Sequence, residues 1–117
     1  MKFAIIGTRT FTDYQRLKSI LDKIKSKYEI ESIISGGASG ADTMAEIYAR
    51  ENNIPLTVYK ADWDKYGKRA GFIRNKYIID DCDICIAFWD SKSKGTKHSI
   101  DLAKSSNKKV FIIHTGE

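Results

Sequence analysis

The amino-acid sequence predicts an α/β protein built on one doubly wound parallel sheet of about five strands, with helices on both faces. Two observations carry this reading. Five short apolar runs recur along the chain, and each gap between them contains apolar residues at helical spacing. A parallel neighbour can be reached only by crossing over a face of the sheet, so strict alternation of strand and helix implies parallel pairing with right-handed crossovers.

The first strand is KFAII (2–6), followed by a helix in which Tyr14, Leu17, Leu21, Ile24 and Tyr28 repeat at steps of three or four. Thr12 followed by Gln15 has the form of a capping box at that helix's start. The second strand is IESIIS (30–35), and Met44, Ala45 and Tyr48 mark the next helix. PLTVYK (55–60) is the third strand, with Ala70, Ile73 and Tyr77 on the helix after it. DICIAFW (83–89) is the fourth, and a shorter helix carrying Ile100 and Ala103 leads to the fifth, KVFIIH (109–114). No linker, repeat or low-complexity segment interrupts the pattern, so residues 1–117 are expected to form a single domain.

Composition narrows the class. With 42% hydrophobic and 30% charged residues and a single proline, the chain belongs with ordinary globular proteins and not with disordered or fibrous ones. No apolar run approaches the roughly 20 residues that span a bilayer, and MKFAIIGTRT lacks the apolar core of a signal peptide. A cytoplasmic protein with no membrane partner is expected. The net charge of +5 favours anionic partners: phosphates, nucleotides or nucleic acid. Cys82 and Cys85 form a CxxC without a second pair, at the start of an apolar strand, which reads as two small core-edge residues in a reducing compartment. His98 and His114 have no carboxylate or cysteine at ligand spacing, so no metal and no cofactor is expected.

In such a sheet, ligands sit beyond the carboxyl ends of the strands, near the point where strand order reverses. The loops there are GTRTFT, GGASGAD, ADWDKYGKRAG and DSKSKGTK. Glycine at these turns lets backbone N–H groups approach a phosphate, and the next helix adds the positive end of its dipole. The stretch SGGASGAD is neither a Walker A loop nor a dinucleotide fingerprint. It admits a structural reading, because Ser39 and Asp42 are spaced as a capping box and Gly36, Gly37 and Gly40 suit a tight turn. Gly95 and Thr96 admit one too, with Thr96 as helix N-cap. Convergence of four such loops on one edge favours a ligand site. The segment from Lys60 to Lys76 adds six basic residues against two acidic ones, with Trp63 and Tyr66 among them. An aromatic face beside cationic groups suits a base with its phosphate, and a solvated basic helix end with Trp63 packed on the core is the alternative.

These same segments carry a family resemblance. Gly7-Thr8-Arg9, SGGASGAD, ADWDKYGKRAGFIRN and KGTKHSIDLA together resemble the YspA-type branch of the SLOG superfamily, a Rossmann-like group related to the LOG phosphoribohydrolases and the DprA/Smf proteins. The resemblance covers nearly the whole chain. It implies a site for a nucleotide or nucleotide-derived small molecule across the strand ends. Gly7, Thr8 and Arg9 would match the first ligand loop, and Ser35, Gly36, Gly37, Ser39, Gly40 and Asp42 the second. Arg74, Asn75 and Lys76 sit where LOG proteins carry an Arg-Lys pair, Trp63 and Arg69 belong to the same segment, and Gly95 and Thr96 match the phosphate loop. LOG enzymes are similar there but carry PGG-x-GT-x-x-E, whose glutamate is a catalytic carboxylate. In this chain Ser99 stands at that position, and a neutral hydroxyl can neither stabilise an oxocarbenium-like centre by charge nor accept a proton as a carboxylate does. Asp42 is the nearest surviving candidate for a catalytic carboxylate.

Three function classes emerge, in this order: a binder of a nucleotide-derived ligand, a nucleotide N-glycosidase-type hydrolase using Asp42, and a DprA-like binder of single-stranded nucleic acid. The resemblance also implies a homo-oligomer, with a dimer expected. If the glycine loops hold the ligand, Gly37→Val or Gly95→Val should abolish binding and leave the fold intact.

Overall fold

The computed structural model describes residues 1–115. Five strands, β1 (Lys2–Gly7), β2 (Ser32–Ser35), β3 (Leu56–Val58), β4 (Ile84–Trp89) and β5 (Lys109–His114), form one parallel sheet in the order β3-β2-β1-β4-β5. The chain winds outward from β1 to β3, then crosses back to place β4 on the other side of β1. The order therefore reverses between β1 and β4, which is where a crevice must open.

β1 shows why both faces need cover. Phe3 and Ile5 point to one face and Ala4 and Ile6 to the other, and all four are buried. On the first face lie α1 (Tyr14–Lys27), through Leu17 and Leu21, and α2 (Ala41–Glu51), through Met44, Ala45 and Tyr48. On the second lie α4 (Ala70–Asp81), through Ile78 and Ile79, and α5 (Lys94–Ser105), through Ile100 and Ala103. Each fully buried Ile or Phe contributes on the order of 1.5–3 kcal/mol. Tyr48 is fully buried and donates its hydroxyl to Asp22 at 2.7 Å, tying α2 to α1. Tyr77, by contrast, is 54% exposed.

The strand and helix order matches the sequence reading, and the ends differ. β2 and β3 are shorter than their apolar runs, and the last helix spans 12 residues. The capping box at Thr12 is absent: Asp13 caps α1 by accepting the Arg16 N–H at 3.1 Å. A short helix, α3 (Trp63–Tyr66), and a 3-10 turn over Gly67–Arg69 precede α4. Cys82 and Cys85 are free and buried, and burial pushes both thiols above their ordinary pKa, so neither is a ready thiolate. Among the described residues, no helix is long and apolar enough to cross a membrane.

Candidate functional site

The crevice is built from the end of β1. Gly7 is obligatory there, since a Cβ would lie 2.5 Å from the Phe88 carbonyl oxygen and 2.7 Å from the Ala41 Cβ. That close approach brings the start of α2 against β1 and β4. Thr8 then locks the two central loops together: its N–H donates to Phe88 O at 2.9 Å, and its hydroxyl accepts the Asp90 N–H at 3.1 Å.

The loop after β2 is held from both sides. Ser35 is buried, and its hydroxyl accepts the Gly37 N–H and reaches Glu46 at 3.2 Å. Asp42 does not form a capping box with Ser39, which is exposed; α2 starts from Gly40 without a side-chain cap. Instead, the Asp42 carboxylate turns back to accept the Ala38 N–H at 3.1 Å. Burial pushes its pKa up to about 6, with the Ala38 N–H and the Arg74 guanidinium opposing that rise. Arg74 donates through Nη1 to the Gly36 carbonyl and through Nε to Asn75 Oδ1 at 3.1 Å. Half-buried, it is pulled below its ordinary pKa by desolvation and supported by Asp42.

On the other side, Ser93 and not Thr96 caps α5, accepting the Thr96 N–H at 3.3 Å. The N–H groups of Lys94 and Gly95, in the first turn, have no intrahelical acceptor. Asn75 is buried and joins α4 to this turn, donating to the Gly95 carbonyl at 3.3 Å and lying 3.3 Å from His98 Nδ1. No neighbour lies within 4 Å of a Cβ placed on Gly95.

Between these parts lies a cavity of about 220 Å³. Its inner surface includes Ile6, Ile78, Thr96 and Ser99; its polar wall has Arg9, Asp42, Arg74 and Asn75; and its rim is Trp63, Lys68 and Phe72. Trp63 is 53% exposed and lies over Gly71, while Phe72 packs its ring 4.5 Å from that of His98. Asp42 is the one carboxylate among the described lining residues, and Ser99 is buried behind it all. The arrangement offers free N–H groups and three cations to an anion, and two aromatic faces to a flat ring.

The structure thus brings Gly7, Arg9, Asp42, Trp63, Arg74, Asn75, Gly95 and Thr96 to one cavity. The others stand elsewhere. Thr8, Ser35 and Gly36 are buried supports, and Gly40 adopts φ +75° where a Cβ would lie 2.4 Å from the Arg9 carbonyl oxygen and 2.5 Å from that of Thr8. Gly37, at φ +71°, faces Val58 and Lys60 on the far side of the loop. Arg69 points to the α4–α5 groove with Tyr77 and Leu102. Lys68 and Phe72 take the places on the rim, and the signal for Phe72 was an apolar residue out of phase with Ala70, Ile73 and Tyr77. The expected behaviour of Gly37→Val also needs correction, because a side chain at positive φ strains the loop itself. Gly95→Val remains a clean probe.

Comparison with known proteins gives the relationship. The model of the family described as YspA, cpYpsA-related SLOG matches residues 1–66. The gene 61 protein of Mycobacterium phage D29 is 32% identical over 97% of this chain and 94% of its own length. The chain belongs to the YspA-related SLOG family. Among solved structures, this SLOG chain is similar to DNA processing protein A of Streptococcus pneumoniae, with a TM-score of 0.79 at 20% identity. It is also similar to DNA processing protein A of Helicobacter pylori, described for its unique single-stranded DNA binding mode, with a TM-score of 0.70 at 26% identity. The match takes in 95% and 96% of the SLOG chain but only 49% and 64% of those two proteins.

Proposed function

We propose that the protein binds a nucleotide unit at the carboxyl edge of the sheet. Its phosphate would meet the free N–H groups at the start of α5 with Arg9 and Lys68, and its base would stack on Trp63. One observation carries this reading: donors, cations and exposed aromatic faces converge on a single cavity at the β1/β4 switch point. A second reading, that the unit belongs to single-stranded DNA, gains support from the likeness to the H. pylori protein and from the sequence pI of 9.2. Among the three classes the sequence suggests, it gains most from the comparisons. The hydrolase reading rests on Asp42 alone, whose carboxylate is already engaged by the Ala38 N–H.

A thermal-shift screen against nucleoside monophosphates, NAD, ADP-ribose, cyclic signalling nucleotides and short oligodeoxynucleotides tests the proposal. A ligand at 100 times its Kd should add about 2.7 kcal/mol of apparent stability. Each stabilising compound is then incubated and chromatographed. Recovery intact supports binding, whereas free base plus sugar phosphate would establish Asp42-dependent hydrolysis once Asp42→Asn abolished it. Failure of every probe to stabilise the protein would overturn the proposal.

A further inference from the structure

On the opposite flank of α4 from the candidate site lies a second cavity, of about 320 Å³, walled by Tyr59, Tyr66 and Tyr77. The helix itself separates the two: Ala70, Ile73, Arg74 and Tyr77, spaced i, i+3, i+4 and i+7, face the tyrosine side, while Gly71, Asn75 and Ile78 face the first cavity. Arg74 borders both. We propose that this tyrosine-walled cavity is a second base-binding subsite, so that the ligand spans two linked nucleotide units with the connecting phosphodiester at Arg74. The inference rests on the nucleotide reading of the first cavity.

Three features support it. The walls are preformed: the Tyr59 and Tyr77 rings stack with centroids 6.2 Å apart and an interplanar angle of 15°, and the Tyr59 hydroxyl is anchored on Asp81 at 2.9 Å. Fixed aromatic faces lose little entropy when a flat ring is added to them. The surroundings suit a ring linked to a phosphate, since Lys60 and Arg74 line the cavity and the Lys65 ammonium lies 5.1 Å from the Tyr66 ring centre, against Asp62 in the lining and Asp81 bound to the Tyr59 hydroxyl. The Arg74 guanidinium also keeps donors to give. Its Nε and Nη1 are bonded to Asn75, Gly36 and Tyr59, whereas Nη2 has no protein acceptor among the described residues. A diester oxygen between the two cavities would complete a charge-assisted bond that a mononucleotide seated at α5 does not require.

Isothermal titration calorimetry with the whole chain decides the matter, using the deoxynucleoside 5′-monophosphates and the corresponding 5′-phosphorylated homodinucleotides as probes. At least one dinucleotide should bind roughly 10-fold or more tightly than its mononucleotide, the scale of one base-aromatic stack. Tyr77→Ala, at an exposed position, and Tyr66→Ala, as an independent variant, should each return the dinucleotide to mononucleotide affinity and leave mononucleotide binding unchanged. Trp63→Ala should weaken both probes. If mononucleotides bind and no dinucleotide binds more tightly, or if both tyrosine variants keep the dinucleotide advantage, the second subsite is refuted and the nucleotide reading stands. If neither kind of probe binds, the second subsite is refuted, and the nucleotide reading is decided by NAD, ADP-ribose and the cyclic nucleotides.

Discussion

Two glycine-bearing loops flank the cavity, and they use the residue for opposite ends. In the loop after β2, glycine is consumed by packing: a Cβ on Gly36 would lie 2.6 Å from Arg74 Nη1, and one on Gly40 would lie 2.4 Å from the Arg9 carbonyl oxygen. At the start of α5, Gly95 faces open space, with nothing within 4 Å. The first loop is a keystone that the fold needs whether or not a ligand is present. The second leaves room for one. Glycine richness alone therefore marks a place where backbone comes close to something, and only the structure tells whether that something belongs to the protein.

The contrast can be broken at its strongest point first. Gly40→Val combines a backbone clash with a residue at φ +75°, and should cost about 3 kcal/mol or more, read as a lowered urea midpoint or failure to fold. A result close to wild type would mean that the loop is far more pliable than its packing implies.

Next comes the buried carboxylate that holds this loop. Asp42 titrates near 6 when folded, above its ordinary value of 3.8, so the folded state binds that proton more tightly than the unfolded chain. Its contribution to stability is greatest below about pH 3.8 and is lost as pH rises through about 6. The stability difference between wild type and Asp42→Asn should therefore shift against the wild type by on the order of 1–3 kcal/mol between acid and neutral pH. Urea denaturation of both proteins across that range checks it, and parallel profiles would place the Asp42 carboxylate outside the buried network.

Trp63→Ala should weaken nucleotide binding by roughly 10-fold, the scale of a lost stack, with little change in melting temperature because half of the ring is already in water. The smallest effect on the fold belongs to Gly95→Val. Its melting temperature should stay within about 2–4 °C of wild type, a change of no more than roughly 1 kcal/mol, while calorimetry shows a clear loss of affinity. A large loss of stability there would erase the distinction between the two loops.

The strands and long helices were legible because each buries a continuous apolar face, a pattern written in consecutive residues. Caps were less so. Thr12, Ser39 and Thr96 all fit capping patterns, yet Asp13, Gly40 and Ser93 take those positions. Tertiary contacts decide between neighbouring polar residues, as when Asp42 turns back to Ala38. α3 and its 3-10 turn were invisible because four residues carry no period. Within that turn Lys68 borders the cavity and Arg69 borders the α4–α5 groove, a division that no periodic pattern marks. The site's chemistry was readable as a set of loops; the division of α4 into two flanks, with Arg74 shared between them, was not.

The position of β1 bears on how the molecule comes into being. It lies at the middle of the sheet, with β2 on one edge and β4 on the other, and the Lys2 N–H bonds to the Asp83 side chain 81 residues later. During synthesis, which proceeds at about 5–20 residues per second, β1 can find β2 early, but its other edge must wait for β4 to emerge. For that interval the nascent chain exposes a half-paired strand of Phe, Ala and Ile. The late-emerging β4 and α5 also close the cavity, so a chain interrupted before them would hold the whole glycine loop with Arg9, Asp42, Trp63 and Arg74 but lack the wall of Gly95, Thr96 and Ser99.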